Sequence, residues 1–206
     1  VTPILPFIFS ITFNVFDSYR SNSVPLTFCH MILICHICKK WNQTMVKQPI
    51  AALIYDFDGT LSPGNMQEFG FIQAVGKTAP EFWQMSDNIA IGQDASNVLA
   101  YMKLMFDEAR ANGIPLRKSS FQRFGKDIVL FEGVREWFSL VNRYGESRGV
   151  KVEHYINSSG LKEIIEGSPI AGEFKHIFAG SFLYDENGEA EWPGLAVDYT
   201  AKTQFL

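Results

Sequence analysis

The chain has 206 residues, of which 47% are hydrophobic and 19% charged, and its formal net charge is −4. This size and composition are those of a folded protein with room for one large domain or a core domain with an insert, and they exclude a disordered chain. The mild acidity and the lack of a long basic run argue against a nucleic-acid partner.

Residues 1–44 differ in character from the rest of the chain. They are rich in aromatic and β-branched residues, and neither of their two apolar runs has a clean period. The run Val24–Cys38 is shorter than the roughly 20 apolar residues that a transmembrane helix needs. Three interpretations stay open for this apolar extension: a reading frame wrongly extended upstream of Met45, a membrane anchor, or a genuine extra element.

The three cysteines, Cys29, Cys35 and Cys38, all fall in this extension. An odd number of cysteines so close together is a poor disulfide framework, and the cysteine-free remainder suits a reducing compartment. Cys35 and Cys38 have the spacing of half a zinc site, but no second pair of ligands follows at finger-like spacing. We therefore predict no metal site there and a cytoplasmic protein, with tethering to a membrane through residues 1–44 as the alternative.

From Lys47 onward, predicted strands and helices alternate, which is typical of an α/β protein with a parallel sheet covered by helices. The predicted strands are Ile50–Tyr55, Val150–Asn157, Phe174–Tyr184 and Ala190–Trp192. The predicted helices include Ser96–Asn112, Gly133–Tyr144 and Leu161–Glu166. The turn Asp185-Glu186-Asn187-Gly188 predicts a hairpin between the last two strands.

The helical block between the first two strands is too long for a plain crossover. We predict a separate helical cap over residues 65–130, inserted into a core formed by residues 45–64 and 131–206. Within the helix Ser96–Asn112, one face carries apolar residues at helical spacing, and a second such face follows in Gly133–Tyr144. The faces are Val98, Met102, Met105, Phe106 and Ala109, and then Val134, Trp137, Phe138 and Val141.

The stretch IYDFDGTLS, residues 54–62, places two carboxylates at the end of the first predicted core strand. Asp56 and Asp58 point to the same side of an extended chain, where two like charges are costly unless a cation lies between them. A hard cation with oxygen ligands, above all Mg²⁺, removes that cost. One carboxylate could then attack phosphorus while the other handles a proton, and Thr60 could offer a hydroxyl and a backbone N–H to phosphate.

The strand followed by DFDGTL resembles the first motif of the haloacid dehalogenase (HAD) superfamily of aspartate-nucleophile hydrolases. Two further stretches are similar to its other motifs: Ser158, after the second predicted strand, and Lys202, in DYTAKT. Lys175 and Lys162 are the competing lysines. The resemblance covers residues 49–206, is closest to the phosphoserine-phosphatase-like branch, and implies a Rossmann-like core with an inserted helical cap.

The resemblance implies a Mg²⁺-dependent hydrolase acting on a small phosphorylated metabolite through an aspartyl-phosphate. Asp56 would be the nucleophile and Asp58 the acid–base group, and both would bind the metal. Thr60, Ser158 and Lys202 would bind the phosphoryl oxygens. An acid at position 58 favours a phosphatase or phosphomutase over a dehalogenase or a transport ATPase.

One part of the superfamily pattern is missing after Lys202, namely the fourth motif, an acidic pair that follows another core strand. We therefore expect a core that is incomplete at its C-terminus. The alternative function is a catalytically inactive fragment or a binding module of the same fold.

Overall fold

The structure, a computed structural model, describes residues 31–35 and 48–205. Five strands form one sheet in the order β1-β2-β3-β4-β5. Strands β2, β3 and β4 are parallel, whereas β1 and β5 are antiparallel to their neighbours at the two edges. The strands are β1 Met31–Cys35, β2 Ile50–Tyr55, β3 Lys151–Leu161, β4 His176–Tyr184 and β5 Ala190–Leu195.

The predicted α/β class with a parallel core sheet is therefore confirmed, with antiparallel strands added at both edges. Strand β1 belongs to the apolar extension and pairs with residues 51–55 of β2. Of the two cysteines with the spacing of half a zinc site, Cys35 ends β1 and Cys38 lies outside the described residues.

Four of the helices between β2 and β3 fall within the predicted cap segment, residues 65–130: α1 Phe71–Ala74, α2 Ala79–Gly92, α3 Asn97–Ala111 and α4 Lys118–Phe124. Each of the two long ones begins at a sequence signal. Thr78 and Glu81 form a capping box at α2, and the Ser96 hydroxyl accepts a hydrogen bond from the backbone N–H of Leu99 at α3. These caps satisfy backbone donors that a helix start otherwise leaves free.

The helical segment and the sheet bury their apolar side chains in one cluster. Phe71 and Phe82 from the helices are fully buried, as are Phe57 and Ile156 from the sheet side. The chain leaves the sheet and returns to it at one point, where the backbone N–H of Phe131 donates to Leu61 O over 3.0 Å. The helices are thus seated against the sheet, while the division into core and cap domains stays a prediction.

Two helices accompany the second half of the sheet, α5 Val134–Ser147 and α6 Lys162–Glu166. Helix α5 buries Phe138 against β3, as its pattern predicts, but the prediction of Trp137 as an inward residue is wrong. The indole lies at the surface, and its Nε1–H donates to the Tyr55 hydroxyl over 3.0 Å. No helix within the described residues is long and apolar enough to cross a membrane.

Strand β3 is longer than its sequence predicts. The predicted strand ends at Asn157, whereas β3 continues through Ser158, Ser159 and Gly160 to Leu161. Its pairing with β4 shifts register between Asn157 and Leu161. Helix α6 consequently begins at Lys162 and has only five residues.

Candidate active site

A tight turn follows β2 and carries the two predicted acids. Three successive backbone N–H groups, those of Thr60, Leu61 and Ser62, donate to Phe57 O. Gly59 has φ +71°, a conformation that glycine adopts without strain. Phe57 is fully buried between the two acids in sequence, so the turn is anchored by its apolar side chain while the carboxylates stay at the rim of the sheet.

Asp56 forms an ion pair with Lys202, 146 residues further along the chain. One carboxylate oxygen, Oδ2, accepts from the lysine Nζ, and the other, Oδ1, accepts from the backbone N–H of Phe57 over 2.8 Å. Both side chains are partly exposed, Asp56 at 36% and Lys202 at 25%. The structure thus brings the ends of two distant segments together at an accessible place.

A short 3₁₀ helix, Ala201–Phe205, carries Lys202, and its start is capped by Asp198. Asp198 Oδ1 accepts from the backbone N–H groups of Thr200 and Ala201 over 2.9 and 2.7 Å. These hydrogen bonds hold the pKa of Asp198 below its ordinary value, the Thr200 side chain contributing most. The cap therefore works best with Asp198 ionised.

Asp58 has a very different environment from Asp56. Its Oδ1 accepts from the backbone N–H of Met66 over 3.0 Å. Burial raises the pKa of Asp58 to about 8, and the neighbouring charges of Asp56 and Glu68 add to the rise. A divalent cation bound at this rim would act in the opposite direction and favour the ionised form.

Ser158 lies on the strand next to Asp56. Tyr55 pairs with Ile156 in the parallel register, so Asp56 comes level with Asn157, and Ser158 is one residue further along β3. Ser158 is 1% exposed, and its Oγ accepts from the backbone N–H of Gly160 over 3.0 Å. The expected helix follows as α6, which begins at Lys162, one residue later than predicted, because β3 continues to Leu161.

Thr60 lies in the turn with its side chain half-buried. Its backbone N–H, expected to be available for phosphate, already donates to Phe57 O over 3.2 Å. The hydroxyl is therefore the remaining donor that Thr60 could offer to a ligand.

Gly160 brings the second predicted motif against the first. A Cβ atom at this position would lie 2.1 Å from Met66 Cε and 3.2 Å from Asp58 Oδ2. Met66 is fully buried, and its sulfur accepts from the backbone N–H of Leu161 over 3.2 Å. Only glycine lets β3 pass so close to the Asp58 carboxyl group.

The helical segment contacts the same rim through Tyr101 of α3. The Tyr101 hydroxyl donates to Ser159 O over 2.7 Å, and Trp83 packs edge-on to Tyr101. Trp83 Nε1 donates to Glu68 Oε1 over 2.7 Å. Aromatic side chains and one acid therefore border the rim on the side of the helices.

The competing lysines lie elsewhere. Lys175 is paired with Glu153 over 2.6 Å, at the opposite end of β3 from Asp56. Lys162 is the first residue of α6, beyond the end of β3. Of the three candidates, Lys202 is the one in contact with Asp56.

Two residues at the site were missed in the sequence, Asn157 and Asp198. Asn157 Nδ2 donates to Lys202 O over 2.7 Å. The two residues are 45 positions apart, so no local sequence pattern predicts this contact. Asp198 did carry a signal, because an aspartate two residues before a threonine is typical of an Asx turn or a helix cap.

A magnesium ion prefers several oxygen ligands. Within the described ranges, no three His, Cys, Asp or Glu side chains are grouped to hold a metal ion. Asp56 and Asp58 supply carboxylate oxygens, and Lys202 already contacts one of them. The described residues thus fit a divalent cation as a partial donor set, with other ligands, such as water, completing it.

No protein-family model matches the chain. An uncharacterized protein of Borreliella burgdorferi is 28% identical to it over 150 residues, which are 66% of this chain and 51% of that protein. A HAD family hydrolase from Salmonella enterica serovar Typhi superposes with a TM-score of 0.52 at 14% identity, covering 76% of this chain and 48% of the hydrolase. A phosphoserine phosphohydrolase-like protein from Francisella tularensis gives 0.45 at 21% identity, over 71% of this chain and 64% of that one.

The chain spans about half the length of the Borreliella relative and of the Salmonella hydrolase. At 14% identity, the likeness to the Salmonella hydrolase is informative about architecture alone. This architecture is the one that the three sequence motifs imply by resemblance. The described chain has the fold of a HAD-family hydrolase.

Proposed function

We propose that the chain is a phosphomonoester hydrolase that uses Asp56 as its nucleophile. The observation that carries the proposal is the Asp56–Lys202 ion pair at the carboxyl ends of parallel strands, where α/β proteins bind their ligands. An accessible carboxylate beside a fixed ammonium group is suited to attack on a phosphate ester, because the lysine offsets the charge that accumulates there.

Asp56 would attack the phosphorus atom, forming an aspartyl-phosphate as the ester P–O bond breaks. Asp58 would donate a proton to the leaving oxygen and then take one from the water that hydrolyses the acyl phosphate. The position of Asp58 supports this pairing, since both acids lie in one segment that is closed by three hydrogen bonds to Phe57 O.

Lys202, Ser158 and Thr60 would bind the phosphoryl oxygens. Lys202 is fixed at the rim, Ser158 lies on the adjacent strand, and the Thr60 hydroxyl lies in the turn. Most of the catalytic effect in phosphoryl transfer comes from positioning and charge neutralisation, which is what these groups would supply.

Asp56 and Asp58 would hold a magnesium ion together with ligands such as water. When bound, such an ion neutralises phosphoryl charge and lowers the cost of bringing an anionic substrate to two carboxylates. The partial donor set supports this assignment, and loss of activity on chelation would test it.

The substrate would be a small phosphorylated metabolite, and Tyr101 and Trp83 would border it on the side of the helices. Neither composition nor charge favours a nucleic-acid substrate. We retain the cytoplasm as the proposed location and membrane tethering through residues 1–44 as its alternative.

The experiment is hydrolysis of p-nitrophenyl phosphate with added Mg²⁺, with and without EDTA. During turnover, we expect a phosphoryl group on the peptide that contains Asp56, detected by mass spectrometry and removed by hydroxylamine. Phosphate release without any phosphorylated Asp56 peptide would contradict the nucleophile assignment.

The second candidate function is a binding module without turnover. The absence of a three-residue metal-ligating group among residues 31–35 and 48–205 favours it. Phosphate or a phosphate ester would then bind in calorimetry, with a measured dissociation constant, while the same preparation released no product.

A further inference from the structure

Asn157 is a buried amide beside the proposed nucleophile. It lies on β3 one residue before Ser158 and is 6% exposed. Its Nδ2 donates to Lys202 O over 2.7 Å. Because a carbonyl oxygen only accepts, this contact sets the orientation of the Asn157 amide group.

Lys202 is thereby held at both ends. The backbone carbonyl is bound to Asn157, and the side-chain ammonium is bound to Asp56. Further along the same 3₁₀ helix, Phe205 stacks on Phe178 with ring centroids 5.0 Å apart. Phe178 is the register partner of Asn157 on β4, so both anchors of the 3₁₀ helix rest on the same level of the sheet.

The remaining polar atom of Asn157 argues against a purely structural role. Among the described residues, its Oδ1 is buried without a hydrogen-bond partner. Leaving a buried acceptor unpaired costs stability, whereas an apolar side chain of similar shape avoids that cost. The unpaired Oδ1 atom therefore does not stabilise the sheet, and what the Asn157 amide supplies is its hydrogen bond to Lys202 O.

We propose that Asn157 is a positioning residue, which places the Lys202 ammonium on the Asp56 carboxylate by holding the Lys202 backbone. The assignment relies on the proposed function only for the roles of Asp56 and Lys202. The contact itself links the second predicted motif to the third, so that strand β3 positions a lysine that is 45 residues away.

The test is zero-length cross-linking with a carbodiimide, which joins a carboxylate and an amine only where they are already in contact. The wild-type chain should give an Asp56–Lys202 amide, identified by mass spectrometry. The Lys175–Glu153 pair, 2.6 Å apart on the same sheet, should give a second product that serves as the internal reference.

Asn157→Leu should lower the yield of the Asp56–Lys202 product about fivefold relative to the reference, since the lysine is no longer held in register with the acid. The matched control is Asn142→Ala. Asn142 Oδ1 lies 3.1 Å from His154 Nε2, and His154 points to the other face of β3 from Asn157. This control should leave the yield unchanged.

An equal Asp56–Lys202 yield in Asn157→Leu and wild type would overturn the proposal, as would a wild-type chain that gives only the reference product. If Asn157→Leu also loses the reference product, its fold is damaged. The shorter polar variant Asn157→Ser, which cannot reach Lys202 O, then decides by the same comparison.

Turnover provides a separate readout. Where the chain hydrolyses p-nitrophenyl phosphate, Asn157→Leu should lower kcat/KM about tenfold while its thermal midpoint stays at or above that of Asn142→Ala. If cross-linking gives the expected result but the chain does not hydrolyse the ester, the positioning role is supported and the proposed function is contradicted.

Discussion

Two acid–lysine clusters lie beside strand β3, one towards each end, and they differ in how well their acids are neutralised. The rim cluster is Asp56, Asp58 and Lys202, and the base cluster is Glu153, Lys151, Lys175 and Tyr155. Glu153 is 7% exposed and accepts from three side chains. Those bonds, led by Lys175, lower the pKa of Glu153 to about 2.

Asp58 of the rim cluster has the opposite balance. Its backbone hydrogen bond from Met66 does not offset burial, which raises its pKa to about 8. An acid whose charge is fully compensated has a structural role, whereas an acid left short of compensation is ready to meet a cation or a substrate. The contrast supports the proposed chemistry at the rim and a structural role for the base cluster.

Asp56→Asn should have the largest effect, a loss of about 10³-fold or more in kcat for p-nitrophenyl phosphate, because an amide is a poor nucleophile toward phosphorus. Steady-state kinetics in Mg²⁺ buffer measures it. The control is Asp87→Asn on the exposed face of α2, which should keep wild-type turnover. Wild-type kcat in Asp56→Asn would place the nucleophile elsewhere.

Lys202→Met should lower kcat/KM about 10²-fold, since it removes a cation from the phosphoryl site while keeping a long side chain. The same replacement in the base cluster, Lys175→Met, should change kcat/KM by less than about twofold. Both are measured with the same ester. Equal losses in the two variants would erase the distinction between the clusters.

Glu153→Gln should affect stability and leave turnover unchanged. The folded pKa of Glu153 is about 2, below its ordinary 4.5, so its ionised form stabilises the fold above pH 4.5. That stabilisation is lost as pH falls from 4.5 toward 2. Wild type should therefore lose more unfolding free energy than Glu153→Gln over this window, in denaturant titrations at successive pH values. Parallel pH curves for the two proteins would contradict the assignment.

Tyr101→Phe should have the smallest effect, a rise in KM of about threefold, because it removes one hydrogen bond between the helical segment and the rim. Tyr144→Phe, at a residue that is 62% exposed on α5, is the matched control and should have no effect. An unchanged KM in Tyr101→Phe would show that this contact of the helical segment does not affect substrate binding.

The fold was predictable where local signals and burial agree. Helix α3 begins after Ser96 and ends before Asn112 as its sequence indicates, because capping and apolar spacing act within the helix. The continuation of β3 through Ser158 and Gly160 was not predictable, since serine and glycine are weak strand formers and neighbouring β4 provides the pairing.

The residues of the candidate site were likewise predictable only where the sequence carries a signal. Asp56 and Asp58 stand out because two acids after an apolar strand are unusual, and Lys202 was found through a resemblance. Asn157 had no such signal, because its importance comes from a contact made only when β3 and the last 3₁₀ helix meet. Trp137 was misassigned because it falls at helical spacing with the apolar residues of α5. Its indole N–H instead donates to the Tyr55 hydroxyl at the surface.

At Gly160, strand β3 passes close to Met66 and Asp58, and this position has no space for a side chain unless its neighbours move. A methyl group there would push the end of the Met66 side chain aside and would lie 3.2 Å from Asp58 Oδ2, so it would crowd the acid without any change of charge. Alanine at this position would thus crowd the rim while leaving every proposed reacting group in the chain. The absence of a side chain at one residue is as much a part of this rim as the carboxylates themselves.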